Sequence, residues 1–430
     1  VTLSTSAYVN SLATDSDNEP IVTWLEGPGS RGLVDVYMYR GSKGDGTNSP
    51  NPINLSDLTD TGEAEEDPAF TELSVDSVGD KVLVSWHELT GNRGSTDRYI
   101  FEEIETYSDG FVIQPQTQLP TITKGDITIV GQSQPESDCS VQNLRVEIDG
   151  SSATGANGLV VETDEVNPVS ISGLIINNFD DAGIDVLNSE VIIKCNIIGL
   201  DSNGDTIQSN DKGINSLGGS NLIIGGDSLI DRNIISGNTT HGINIVVDST
   251  ANIQGNYIGT DKSGLFGRPN SDGIEIRTET PGSRIGSNSG LDASTGCSGA
   301  CNLISGNSDK GIDISDFDLD GNNNSTDVDV IGNYIGIDAV GGPLPNYDGI
   351  IVDSADGVTI GGNDFSERNL ISGNTRHGIY LWSVYTPDEP PVYEGGKIYD
   401  LLIQNNFIGT DRSGLVSEGN GYNGISMHVY

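Results

Sequence analysis

The sequence predicts an all-β protein, most of it a right-handed parallel β-helix with three short strands per rung, preceded by a small antiparallel β module. Three observations carry this expectation. First, aliphatic runs of three or four residues sit between Gly, Asn, Asp and Ser along the chain, which has 57 Gly in 430 residues. Such segments favour short strands and tight turns over helices. Second, a Gly-Ile pair recurs, opening "GIDV" at 183, "GINS" at 213, "GINI" at 242, "GIEI" at 273, "GIDI" at 311, "GIIV" at 349, "GIYL" at 378 and "GISM" at 424. Third, the spacings of 30, 29, 31, 38, 38, 29 and 46 describe one repeat lengthened at particular turns, as in a solenoid.

Each element follows from one period. In residues 242–272, "GINIVV", "ANIQG" and "NYIGTD" read as three strands separated by turn residues. With no helical segment between them, each strand pairs with its counterpart one rung away, at about 4.8 Å. Alternation turns Ile243, Ile245, Ile274, Ile276, Ile312 and Ile314 inward and Asn244, Glu275 and Asp313 outward. The Gly before each Ile is expected to supply a turn with positive φ. The recurring Asn238, Asn256, Asn307, Asn333, Asn374 and Asn406 are expected in left-handed turns, with their amides stacked along the coil.

Two rung types alternate. One carries "NIIGLDSNG", "NYIGTDKSG", "NYIGIDAVG" and "NFIGTDRSG", and the other "RNIISGN", "CNLISGN" and "RNLISGN". In these repeats residues 119–430 resemble secreted right-handed parallel β-helix proteins of microbial surfaces, which share the architecture of pectate lyases. The resemblance implies a fold and an extracellular or cell-surface setting. It does not imply one activity, because the same coil serves enzymes and adhesins.

Residues 1–118 form a second repeat. "IVTWLEGPGSRGLVDVYMY" and "VLVSWHELTGNRGSTDRYIF" place Trp24 and Trp86, Glu26 and Glu88, Asp35 and Asp97, and Tyr37 and Tyr99 each 62 residues apart. Strand, turn and strand with a Trp resembles a β-propeller blade, although two blades do not close a ring. Residues 54–67 read as their acidic connection.

Charge narrows the function. With 20 Lys+Arg against 63 Asp+Glu the formal net charge is -43, a field that repels nucleic acid and anionic lipid. No apolar run approaches the roughly 18 residues of a membrane span, and no signal peptide is evident at Val1, so the chain reads as a mature form or a piece of something longer. Cys297 and Cys301 in "CSGAC" are expected to close a small disulfide; the pairing of Cys139 and Cys195 stays open.

Candidate site residues are few. "DFDLDGNNNSTD", residues 316–327, puts Asp316, Asp318, Asp320, Asn322, Asn324 and Asp327 at the oxygen-ligand spacing of a calcium loop, with Gly321 at the tight turn. A calcium ion (Ca2+) is therefore expected there, although Asp327 stands where Glu usually gives the bidentate contact. His241 and His377 precede the Gly-Ile of equivalent rungs, where the intervening copy has Lys310, so they read as structural; Arg232 and Arg368 fall to the same argument. Arg277, beside Glu275 and Glu279, is the best candidate base for a lyase but reads first as an ion-paired surface residue. Asn54, Asn238, Asn323 and Asn324 occupy N-x-S/T sequons.

The function expected is that of a non-catalytic extracellular structural or adhesive protein. Its partners would be cell-surface glycans and copies of itself docked end to end in a filament, since "NGISMHVY" opens a rung that no capping segment follows. The alternative is a polysaccharide lyase or other carbohydrate-active enzyme on the same coil.

Overall fold

The computed structural model describes seven backbone strands between residues 7 and 101, and then residues 111–134, 137–140, 142–163, 165–277, 282–289, 291–292, 296–297, 299–315, 327–383 and 398–429. The early strands form two antiparallel meanders. Ala7–Thr14, Pro20–Glu26, Asp35–Arg40 and Ile53–Asn54 make one sheet, and Phe70–Val78, Lys81–Glu88 and Thr96–Phe101 the other. The first three strands of one repeat match the three of the other in order but not in register: Trp24 lies opposite Tyr37, whereas Trp86 lies opposite Asp97.

The rest is a parallel β-helix of three sheets. Sheet 1 has ten strands, from Phe111–Ile113 to Phe407–Ile408; sheet 2 has nine, from Leu159–Glu162 to Ile425–Val429; sheet 3 has nine, from Thr128–Val130 to Leu402–Ile403. One rung runs from His241–Val246 in sheet 2 through Thr250–Gln254 in sheet 3 to Tyr257–Ile258 in sheet 1, and then into Asp272–Arg277 of the next rung. Helical structure among the described residues is confined to three-residue 3-10 turns.

Side-chain alternation builds the core. In sheet 2 the in-register column Ile184, Ile214, Ile243, Ile274, Ile312, Ile350 and Ile379 is fully buried. Each such side chain contributes about 1.5–3 kcal/mol through burial. Sheet 1 departs from a simple inside-outside rule. Its strands are mostly two residues long; Ile198, Ile235, Ile258, Ile304, Ile335 and Ile371 fill the interior. Their partners Ile197, Ile234, Tyr257, Leu303, Tyr334 and Leu370 point the other way and form a second apolar ladder, buried outside the coil.

What covers that ladder is a set of hairpin loops. Each is organised by an Asp of the repeat: Asp261 Oδ1 accepts from the backbone N–H groups of Leu265 and Phe266, and Asp411 Oδ1 from those of Leu415 and Val416. Asp201 and Asp338 do the same in their own loops. The loops also stack, Lys262 N donating to Gly204 O and Ala339 N to Gly264 O. Both disulfides lie in this outer layer, Cys139–Cys195 and the expected Cys297–Cys301.

Polar ladders turn the three corners. Between sheets 3 and 1, Asn196, Asn233, Asn256, Asn302, Asn333, Asn369 and Asn406 form one chain, each Nδ2 donating to the next Oδ1 at 2.8–3.2 Å. Between sheets 1 and 2, Asn210, Asn238, Asn270, Asn307, Asn346, Asn374 and Asn420 form a second. A shorter one at the third corner runs Thr163, Ser189, Ser220 and Ser249, each backbone N–H donating to the next Oγ. The six Asn grouped by sequence thus stack as expected but belong to two ladders. Their left-handed placement is corrected: positive φ falls on the residue before, as at Gly237, Gly255, Gly306 and Gly332.

The Gly of Gly-Ile has another reason as well. Gly242 does not have positive φ; a Cβ there would lie 2.6 Å from Gly273 O, and one on Gly273 would lie 2.5 Å from Gly311 O. Close approach of successive rungs, not turn geometry, requires glycine at this column.

Candidate ligand-binding face

Outward positions of sheet 2 line up in three columns. The central one runs Asp185, Asn215, Asn244, Glu275, Asp313, Ile351, Tyr380 and Ser426. Although these residues point away from the core, Asn215, Asn244, Glu275, Asp313, Ile351 and Tyr380 are all buried. A corner column of Lys212, His241 and Asp272, continued by Lys310 and Asp348, flanks it on one side. On the other, Val246 lies opposite Arg277, and Asp353, Trp382 and His428 are in register.

The first half of the face is an amide chain ending on carboxylates. Asn215 Nδ2 donates to Asp185 Oδ1 at 2.7 Å, and Asn244 Nδ2 to Asn215 Oδ1 at 2.8 Å. Asn244 Oδ1 is buried without a partner, and Glu275 lies opposite Asn244 in the next rung. Glu275 in turn holds Arg277 on one oxygen and lies 3.2 Å from His241 Nε2 on the other. Lys310 Nζ sits between Asp272 at 3.1 Å and Asp313 at 3.0 Å.

Electrostatics follow the packing. Burial pushes the Asp313 carboxyl up to about 6, against the pull of Lys310 and with help from Asp272 and Glu275. The Lys310 ammonium is held above its ordinary value because its two carboxylate partners outweigh desolvation.

The second half is aromatic. His377 stacks on Tyr380 with ring centroids 5.1 Å apart, and Tyr422 meets His377 edge-on at 5.8 Å. Trp382 packs edge-on against Tyr380 at 5.8 Å. Arg376 lies over the rings of Tyr347 and Tyr380 while gripping Asp348 with two nitrogens, at 3.1 and 2.8 Å. His377 is buried with Nδ1 unpartnered, and burial holds its pKa below the usual imidazole value.

No family profile matches this chain. No curated protein and no solved structure matches it either. The face must be read from its own chemistry.

The residues singled out in the sequence fall in several places. Asp316, Asp318, Asp320, Asn322 and Asn324 of the expected calcium loop lie outside the described residues. Asp327 is where the chain rejoins the coil, its carbonyl accepting from Gly282 N and its own N–H donating to Asp356 O. Among the described residues no three His, Cys, Asp or Glu side chains converge as a metal site. His241 and His377 both sit at the corner before Gly-Ile, and both join the outward face. Arg232 packs over the Tyr257 ring at 3.9 Å and Arg368 over Phe407 at 4.8 Å, capping the outer apolar ladder. Arg277 pairs with Glu275; Glu279 lies outside the described residues. Of the sequons, Asn238 is buried in its ladder, which leaves no room for a glycan, Asn54 lies in a strand, and Asn323 and Asn324 are outside the described residues.

Sequence reasoning missed the aromatic half. The signal was available: in "GIYLW" period-two alternation turns Tyr380 and Trp382 to the same outer side once Ile379 and Leu381 are placed inside. No helix among the described residues is long and apolar enough to cross a membrane.

Proposed function

We propose that the chain is a non-catalytic extracellular structural or adhesive protein, a β-helical scaffold presenting a binding face on sheet 2. The observation that carries this reading is the internal pairing of the groups a reaction would need. The repeated Asn and Asp residues are spent on corner ladders and hairpin loops, and the cationic groups of the face are each tied to carboxylates. Arg277, the base a lyase would use, is held by Glu275. Two disulfides with no free cysteine among the described residues suit an oxidising, extracellular compartment.

The test is incubation of the intact chain with uronate and neutral polysaccharides, following unsaturated and reducing ends. No turnover is expected; sustained turnover overturns the reading in favour of a carbohydrate-active enzyme. End-to-end docking of copies belongs to the same proposal. Ile425 and Met427, in the inward column of sheet 2, are exposed, and a strand added from another copy would cover them. A monomer at every concentration in sedimentation would remove that part. A calcium ion on the 316–327 loop is likewise proposed, and an unchanged melting curve with calcium and with chelator removes it.

A further inference from the structure

We infer that the loop-covered flank of the coil, outside sheet 1, pairs with the same flank of a second copy of this chain. The inference stands apart from end-to-end docking, because it uses the side of the coil and none of its terminal rungs.

The loops themselves separate what the fold needs from what it leaves free. In the loops 201–210, 261–270 and 411–420 the leading Asp accepts from two backbone N–H groups at the tip. These belong to Asp205 and Thr206 in the first loop, Leu265 and Phe266 in the second, and Leu415 and Val416 in the third. Any residue with a backbone N–H serves this bond, and the polar pair serves it as well as the apolar ones. Yet two of these loops carry large apolar side chains in the open: Phe266 is 61% exposed, Leu415 88% and Val416 57%. Val340, in the shorter 338–346 loop between them, is 70% exposed. Single exposed apolar residues are ordinary, but a row of them on successive loops marks an interaction surface.

Spacing identifies the partner. The three loops follow the sheet 1 strands Tyr257–Ile258, Tyr334–Ile335 and Phe407–Ile408, and one strand, Leu303–Ile304 or Leu370–Ile371, lies between each pair. The tips thus recur every second rung, about 9.6 Å apart, over about 19 Å of coil. Because the Val340 loop is midway, a two-fold axis through it, perpendicular to the coil, lays Leu265–Phe266 of each copy on Leu415–Val416 of the other. Every apolar tip then covers an apolar tip, and Val340 meets its own counterpart.

Charge selects the same antiparallel arrangement. The 261–270 loop carries two cations, Lys262 and Arg268, against the one carboxylate of Asp261, and the 411–420 loop one cation, Arg412, against Asp411 and Glu418. The axis brings the first loop onto the second, whereas parallel copies would set like on like. Three loop tips form the apolar centre, and the rest of the roughly 800 Å² per partner of a standard interface would come from the polar loop flanks, so the pair is weaker than an obligate dimer. At a net charge of -43 per copy the coils repel at long range, and added salt should strengthen the pair by screening that repulsion.

The experiment places a cysteine on the axis. Val340→Cys in the intact, disulfide-bonded chain, treated with a short bis-maleimide and read on a non-reducing gel, should give a covalent dimer, faster at higher protein concentration and in added salt. Ile223→Cys, at an exposed position on sheet 3, should cross-link at only the rate of random collision. Leu265→Asp with Phe266→Thr, the pair that the 201–210 loop already carries, should slow Val340→Cys cross-linking about tenfold or more while leaving the melting curve unchanged. Met427→Lys, which blocks strand addition at the exposed edge of sheet 2, should leave the cross-linking rate as it was. The inference is overturned if Val340→Cys cross-links no faster than Ile223→Cys, or if the tip change leaves the rate unaltered. Loss of the cross-link in Met427→Lys overturns it as well, because the contact would then run through the end rung and not the flank.

Discussion

Asn256 shows what one side chain can do in this architecture. Its Nδ2 donates to Asn302 Oδ1, Ile224 O and Gln254 O, and its Oδ1 accepts from both the backbone N–H and the Nδ2 of Asn233. Truncation leaves buried groups on both neighbours unsatisfied, so Asn256→Ala should cost about 2–4 kcal/mol in urea unfolding. Asn406→Ala, at the half-exposed end of the same ladder, should cost less. Asp313 makes a second prediction, with a sign fixed by its environment. Its folded pKa, about 6, lies above the ordinary 3.8, so the folded state binds this proton more tightly than the unfolded chain. The associated stabilisation is complete below about pH 4 and is lost as pH rises through about 6. Asp313→Asn should remove that fall, so its stability relative to the parent should rise between pH 4 and 7. A flat difference would show that Asp313 titrates normally, and one that falls with pH that its folded pKa is depressed; either overturns the prediction. At this scale the recurrence of Asn was legible in the sequence. Its division into two corners was not, because "SGN" and "GN" look alike until one knows which strand precedes each.

Among the elements, the sheet 2 strand is the one whose sequence signature reads most directly, because Gly-Ile-x-Ile encodes both faces at once. The glycine column carries its own prediction. Gly242→Ala would place a Cβ 2.6 Å from the backbone oxygen of Gly273, and backbone on both sides cannot yield without opening the rung. That variant should lose more than about 2 kcal/mol. Gly267→Ala should be nearly neutral: its φ is ordinary and the nearest atom to a new Cβ is 3.7 Å away. Equal unfolding midpoints for the two would remove close approach as the reason for the repeat. Sheet 1 was less legible. A two-residue strand such as Tyr257–Ile258 carries no periodicity, and the outward Tyr, Leu and Ile are buried only because the hairpin loops of the repeat fold back over them. The candidate face was half legible: Asn244, Glu275 and Asp313 were placed outward by alternation, but their coupling to Lys310 and to the aromatic end depends on which rungs are neighbours, and the lengthened repeats hide that spacing.

For the whole molecule, the governing property is that the strands of each rung pair only with those of the adjacent rungs, and the outer loops reach no farther than the third rung, so a perturbation should stay close to where it is made. The Cys139–Cys195 disulfide tests this. It ties the loop over the first rungs to the corner residue preceding Asn196, across 56 residues of sequence. Closing a loop of that length restricts the unfolded chain by about 4 kcal/mol on the entropic account, against about 2 kcal/mol for the short Cys297–Cys301 loop. Replacing Cys139 and Cys195 together with Ser should therefore destabilise the coil, but unevenly. Hydrogen exchange should accelerate in the strands from Val146–Asp149 to Glu190–Lys194, which lie beneath or beside the bridge. Exchange in Asp348–Asp353 and Ile379–Ser383, five or more rungs away, should stay at the parental rate. Uniform acceleration over all three sheets would mean that the coil unfolds as a single cooperative unit and that the nearest-neighbour description is wrong. Local acceleration would instead mean that the outward face of sheet 2 from Asn244 to Trp382 keeps its geometry when the rungs beside the bridge open.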